Sequence, residues 1–437
     1  MSINARRPAN ESDSLWRHRD FLKLWCAQTV SQFGTQVSLL AVPLVAALLL
    51  KVNPLEFALL GAVEFLPFVL FSLPAGVWVD RLRRRPIMVV ADVGRAVSLV
   101  SIPIAYLLGA VTIWHLYAVG FINGVLTVFF DIAYQSYLPA LVARERINDA
   151  NAKLETTRSV AQIVGPGVAG SLIAVITAPF AILADALSFA GSAVFVFLIR
   201  KLEVAPGRSK GGDGRARFDM RTEIGQGISY VLQHRYLRSI AACTGVGNFF
   251  YSLTLSIFLL YLAREIRLAP EVIGAVLAVG NVGALAGAVL ARPIATNLGI
   301  GRAILLSAMV LGSSAILIPL APRDGGQLTL VMFAASGFVG SFSAVVYNIN
   351  QVSLRQALTP ERMQGRMNAT MRFIVWGTIP AGQVVGGAIA SAAGMTATLW
   401  VSAVGALFAF LPIQFSAVPA IREIPTQAGP ASQATET

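Results

Sequence analysis

Twelve apolar runs, each about 20 residues or longer, dominate this chain, and runs of that length match the hydrocarbon thickness of a bilayer. They cover 22–50, 55–79, 87–108, 113–137, 159–177, 179–199, 239–262, 272–291, 303–321, 328–350, 373–392 and 396–416. Hydrophobic residues are 56% of the 437 positions and charged residues 13%, against roughly 45–50% and 25% in soluble domains. A chain so poor in charge cannot cover a water-exposed surface. The runs are continuous and not alternating, which argues against a transmembrane barrel. The expected class is an all-α membrane protein. Two cysteines, Cys26 and Cys243, each lie in an apolar run. They have no metal or redox spacing, so neither metal nor cofactor is expected. The first twenty residues are polar, and no signal peptide is evident.

The loops alternate between short uncharged turns and longer basic segments. With the N-terminus placed inside, 29 Lys and Arg fall on the inner side. Four fall outside (Lys51, Arg264, Arg267, Arg323), and Arg95 alone lies within a run. This bias places both termini in the cytoplasm and accounts for the net charge of +12 without nucleic acid. Residues 200–238 form a basic central stretch, in which Gly211, Gly212 and Gly214 suggest a flexible linker. From Phe218 to Arg238 the spacing of Phe218, Ile224, Ile228, Val231 and Leu232 predicts an amphipathic helix lying on the membrane surface.

A shift of 217 residues lays the first half on the second. Cys26 meets Cys243, Arg85 meets Arg302, Gly165 meets Gly382 and Gly170 meets Gly387. Two related six-helix halves follow, 1–199 and 239–437, joined by 200–238. At the same offset Glu64 meets Asn281, Asp80 meets Asn297 and Asp131 meets Asn348. The amide keeps the shape and removes the ionisable oxygen. Within the apolar runs the second half has no charged residue, so a proton carried on a buried carboxylate is expected in the first half.

After the second run comes Gly76-Val-Trp-Val-Asp80-Arg81-Leu-Arg83-Arg84-Arg85. Here the chain resembles the major facilitator superfamily, whose signature between the second and third helices has this spacing. Gly76, Asp80, Arg81, Arg84 and Arg85 match, and Arg83 replaces a usual glycine. The resemblance implies the twelve-helix fold of two pseudo-symmetric halves and a cytoplasmic latch between them. Asp131, about 28 Å along the fourth run at 1.5 Å per residue, would join that latch; the competing reading is that Arg81, Arg84 and Arg85 only set topology. In the fifth run Gly165-Pro166-Gly167-Val168-Ala169-Gly170 resembles the glycine-rich antiporter signature of the superfamily's exporters, with Ala161 and Ala169 replacing two glycines. A generic kinked membrane helix is the alternative. A dinucleotide site is excluded because no strand precedes these glycines. The stretch from Asp131 through Pro139 to Leu141, with Asn148–Asn151 and His18–Phe21, resembles the branch of enterobactin exporters and macrolide-efflux proteins.

Acids inside spans are costly and so are candidates for function. Asp92 and Arg95, three apart, are expected to neutralise each other as a structural ion pair. Glu64 and Asp185 have no partner in their own segments. Each is a candidate proton or cation site, with an interhelical hydrogen bond or an outer gate as the alternative. The fourth run lacks the arginine that many drug–proton antiporters of the family carry, so their coupling scheme does not transfer whole. Gln32, Gln36, Asn248, Tyr251, Gln351 and Gln383 are polar residues that could line a path. The expectation is a bacterial inner-membrane, proton-coupled exporter of amphipathic small molecules, such as drugs or siderophore-like metabolites. It would work as a monomer by alternating access. Its partners would be a small-molecule substrate, protons and the bilayer. An uptake permease of the same fold and, more remotely, a non-transporting scaffold are the alternatives. No metalloprotease or serine-hydrolase motif is present, so no enzyme is expected.

Overall fold

The computed structural model describes residues 15–143, 146–201 and 220–423; a few side chains inside these ranges, Asp80 and Arg81 among them, lie outside what is described. Among the described residues there is no strand. The helices are α1 (Arg19–Leu44, continued by a π-helical turn, Val45–Leu49), α2 (Pro54–Arg81), α3 (Arg84–Leu107), α4 (Ile113–Leu141), α5 (Ile147–Ile176), α6 (Ala178–Phe197), α7 (Met220–Gln233), α8 (Arg235–Arg264), α9 (Pro270–Leu298), α10 (Ile300–Ser314), α11 (Leu317–Leu320), α12 (Gln327–Leu358), α13 (Glu361–Ala393), α14 (Met395–Leu407) and α15 (Leu411–Gln414). Among the described residues twelve segments are long and apolar enough to cross a membrane, α10 with α11 and α14 with α15 each making one. Helices suit so apolar a chain, because each backbone N–H and C=O finds its partner within the segment.

Local sequence sets the helix starts. Asn53 and Glu56 form a reciprocal cap at the head of α2: Glu56 N donates to Asn53 Oδ1 (2.8 Å) and Asn53 N to Glu56 Oε2 (2.9 Å). Thr112 Oγ1 accepts from His115 N (3.2 Å) at the head of α4. The α5–α6 and α13–α14 joints each turn on one residue with left-handed φ, Thr177 (+67°) and Gly394 (+90°). These two positions are 217 apart, so the repeat extends to the joint. Glycine tolerates this conformation and threonine is strained in it. Thr177→Gly should therefore stabilise the protein by about 1 kcal/mol, read as a higher melting temperature in detergent.

Two compact units emerge. The first comprises Met1–Val45 and Leu66–Gly211, and the second Ala46–Phe65 and Gly212–Thr437. In the first, α1 packs on α5 and α6, and α3 on α4 and α6. In the second, α8 packs on α13 and α14, and α10 on α12 and α14. These are the same pairings carried over by the repeat. Close helix approach depends on missing side chains. A Cβ at Gly165 of α5 would stand 2.4 Å from Gln36 of α1, and one at the repeat-related Gly382 of α13 would stand 2.5 Å from the Phe249 carbonyl oxygen of α8. Segment 46–65 joins the second unit through contacts to α8 and α13. Arg264, at the end of α8, donates to the carbonyl oxygens of Ala47 (Nε, 2.7 Å) and Val52 (Nη1, 2.6 Å), and Leu55 N donates to Ser391 Oγ (3.1 Å).

Two expectations from the sequence need correction. First, α7 does not simply lie on a membrane surface. Val231 is fully buried in the core of the second unit. Gly227 is so close to α13 that a Cβ would meet the Arg366 carbonyl oxygen at 2.9 Å, and Arg366 Nη1 donates to Gln226 Oε1 (2.6 Å). Val231 is thus spent on protein, while Ile228 is half-buried and Leu232 exposed; Phe218 and the Ile224 side chain lie outside what is described. Second, the helices of the second half do contain charges, because they run past the apolar segments. α12 takes in Arg355, and α13 begins at Glu361 and takes in Arg366. Polar residues continue the helix wherever neighbouring helices still pack against it.

Candidate functional site

The first unit encloses a file of polar side chains. Asp185 of α6 is 1% exposed and accepts a hydrogen bond from Ser188 Oγ (3.0 Å). Ser188 lies one turn further along α6, so Asp185 does have a partner in its own segment. Ser192, one more turn on, donates to Asp92 Oδ2 of α3 (2.7 Å). The other oxygen, Asp92 Oδ1, takes Arg95 Nη2 in a buried ion pair. The Arg95 guanidinium lies between two aromatic faces, 4.1 Å from the Phe189 ring centre and 4.5 Å from that of Phe130, where cation–π attraction adds to the pairing. Arg95 Nη1 reaches Thr127 Oγ1 of α4 at 3.5 Å. Asp131 stands one turn beyond Thr127. Its cationic neighbours are Arg95 and Arg158.

Helix packing makes this file possible. Gly34 of α1 leaves the room that Asp185 and Ser188 occupy: a Cβ there would stand 2.0 Å from Ser188 Oγ and 2.7 Å from Asp185 Oδ1. On α3 the polar face continues away from Asp92. Ser98 Oγ donates to the Arg95 carbonyl oxygen (2.9 Å) and accepts from Asn123 Nδ2 (2.8 Å). Ser101 Oγ pairs with His115 Nε2 (2.9 Å).

The remaining sequence candidates are dispersed. Glu64, on α2, is exposed and has no hydrogen bond or ion pair among the described residues. Gly76 has open space where a Cβ would be. The side chains of Asp80 and Arg81 lie outside the described residues. Arg85 Nε donates to the Val196 carbonyl oxygen (3.3 Å), and its guanidinium lies 5.4 Å from the Phe197 ring centre, so it anchors the end of α6. Arg84 is half-buried at the first residue of α3. Gly165, Pro166 and Gly170 are buried within an unbroken α5. Of the possible liners, Gln351 and Gln383 are buried and Tyr251 is exposed.

Ser188 and Ser192 escaped sequence reasoning, although with Asp185 they mark one helical face at i, i+3 and i+7. Arg264 escaped it too. Its partners are backbone carbonyls, which leave no trace in the sequence. Among the described residues no His, Cys, Asp and Glu cluster could hold a metal.

The family model for transmembrane secretion effectors matches residues 13–434. The chain belongs to the major facilitator superfamily. This transporter is 27% identical over 358 residues to the multidrug efflux pump Tap of Mycolicibacterium fortuitum, covering 79% of the chain and 83% of the relative. It is also 27% identical to macrolide efflux protein A of Streptococcus pyogenes, over 41% of the chain and 44% of that protein. Among solved structures, a bacterial homologue of the iron transporter ferroportin in its inward-facing state superposes with a TM-score of 0.74, at 17% identity, over 92% of the chain and 99% of that structure. A point mutant of the nucleoside transporter NupG gives 0.70 at 11% identity, over 91% and 99%. These structural likenesses show the fold of the transporter.

Proposed function

We propose that this transporter exports amphipathic small molecules from a bacterial cytoplasm across the inner membrane, in exchange for protons. The observation that carries the export reading is the similarity to Tap, a multidrug efflux pump, over most of both chains. Coupling to protons is supported by the distribution of acids. Asp92 and Asp185 are buried in the first unit and Asp131 is half-buried there, whereas the positions that repeat Glu64, Asp80 and Asp131 are amides. A carrier group must take a proton on one side and lose it on the other. A carboxylate within a span can do so because exclusion of water disfavours its charged form. Glu64 and Asp185 are the proposed carriers. The test is transport of ethidium, an amphipathic fluorescent cation, in inside-out membrane vesicles. Proton-driven accumulation supports export, and movement of ethidium in the opposite sense supports an uptake permease.

Export through the inner membrane also fixes a topology, with both termini and residues 200–238 in the cytoplasm, as the 29-to-4 charge bias supports. With Cys26 and Cys243 replaced, Ala110→Cys should react with an impermeant maleimide added to intact cells. Asp213→Cys should react only after lysis. Labelling of the latter in intact cells would invert the topology.

A further inference from the structure

The Asp92–Arg95 pair has the parts of a proton-dependent switch. Three carboxylates lie within electrostatic reach of Arg95: Asp92 on α3, Asp131 on α4 and Asp185 on α6. α5 contributes Arg158 near Asp131, itself paired with Glu155 (3.5 Å), α4 contributes Tyr134, and α1 presents the Ser38 hydroxyl beside Asp185. Asp92 and Asp185 are therefore two buried acids that share one buried guanidinium. Fully ionised, that group carries a net negative charge in a medium that solvates charge poorly, and one bound proton cancels it.

Both acids accept from serines on one face of α6, one turn apart. Asp185, Ser188 and Ser192 form one buried stripe, with Ser188 on Asp185 (3.0 Å) and Ser192 on Asp92 (2.7 Å). Arg95 is placed to change partners. It is 5% exposed, and its Nε has no acceptor among the described residues. That leaves a buried donor free to take a further acceptor. Thr127, at 3.5 Å from Nη1, lies one helical turn from Asp131, about 6 Å at 1.5 Å per residue. Phe130, the residue before Asp131, carries the guanidinium on its face.

We propose that Asp92, Asp185 and Arg95 hold one shared proton, and that Arg95 passes from Asp92 to Asp131 when the proton settles on Asp92. With the proton on Asp92 that carboxyl is neutral and Asp185 is the carboxylate, and with it on Asp185 the two are reversed, so charge and atoms balance in both forms. The neutral Asp92 releases Arg95, whose charge then meets Asp131. Asp92 is thus a member of the proton-carrying group and Arg95 its positioning residue. This inference rests on the reading of proton-coupled export and adds a site to it.

The test uses the full-length protein in liposomes and infrared difference spectra of the carboxylic-acid C=O band as the pH is lowered, a readout that needs no transport. Asp92→Asn and Asp185→Asn should each lower the band, and the double variant should lose less than the sum of the two, because the sites share one proton. Ser192→Ala keeps every charge and should still alter the band's pH profile, which guards against variants that fail to fold. Arg95→Lys keeps the charge but not the fork, and should cut proton-driven ethidium transport about tenfold while the band remains. Additive losses, or a band untouched by Asp92→Asn, would show that Asp92 only neutralises Arg95 and would overturn the inference. If the band behaves as expected but no proton-driven transport occurs, the shared site stands and the exporter reading fails. If transport is proton-driven and Asp92→Asn changes neither transport nor band, the reading stands and the shared site fails.

Discussion

Asp185→Asn should abolish proton-driven transport, down to the level of protein-free liposomes, and leave substrate binding intact. The asparagine keeps the size of the carboxyl group and its Oδ1, so Ser188 still has an acceptor where it now bonds Asp185 at 3.0 Å. The clearance beside Gly34, where a Cβ would stand 2.7 Å from Asp185 Oδ1, is unchanged. What is lost is the capacity to cycle between a charged and a neutral state. The variant is fixed in a form that mimics the protonated acid, and a carrier fixed in one form cannot return. Glu64→Gln has the same expected outcome through a different position, an exposed acid with no partner among the described residues. Binding of ethidium, followed by fluorescence polarisation in detergent, separates loss of coupling from loss of fold. Retained gradient-driven transport in both variants would remove these residues from the carrier role.

Gly283→Leu should cost on the order of 3 kcal/mol of stability, from overpacking at a contact that has no room to give. α9 and α12 approach through three glycines of α9. A Cβ at Gly283 would stand 2.1 Å from the Phe338 carbonyl oxygen, and one at Gly287 2.5 Å from that of Phe342. At Gly280 the nearest atom, in Gly337, would be 3.4 Å away. Between membrane helices, close backbone approach supplies much of the attraction, so an isobutyl group forces the pair apart and forfeits it. Gly280→Ala should change the melting temperature little, because its Cβ meets only ordinary contact. Equal losses at the two positions would mean that the α9–α12 contact does not set stability.

The spans were legible because bilayer thickness imposes a length on apolar runs, and little else in a protein does. Helix ends beyond the membrane were not: Arg355 and Arg366 lie in helices that continue because neighbours pack on them, a tertiary cause with no hydropathy signature. The face of α7 that carries Val231 was readable as apolar, but hydropathy cannot tell lipid from protein as its partner. Asp92 and Arg95 could be paired from their spacing on one helix. Ser192, 100 residues from Asp92 in the chain, could not be paired with it. The 217-residue repeat made Thr177 and Gly394 comparable, yet only the backbone angles show that both turn through left-handed φ.

Proton exchange is tested most directly by reconstituting the protein in liposomes, imposing a pH gradient as the sole energy source, and following ethidium. Accumulation against the ethidium gradient should occur in the direction opposite to proton flow, collapse when a protonophore is added, and be absent in Asp185→Asn. Accumulation that persists with the proton gradient dissipated, or that is the same in Asp185→Asn as in the wild type, would contradict the account.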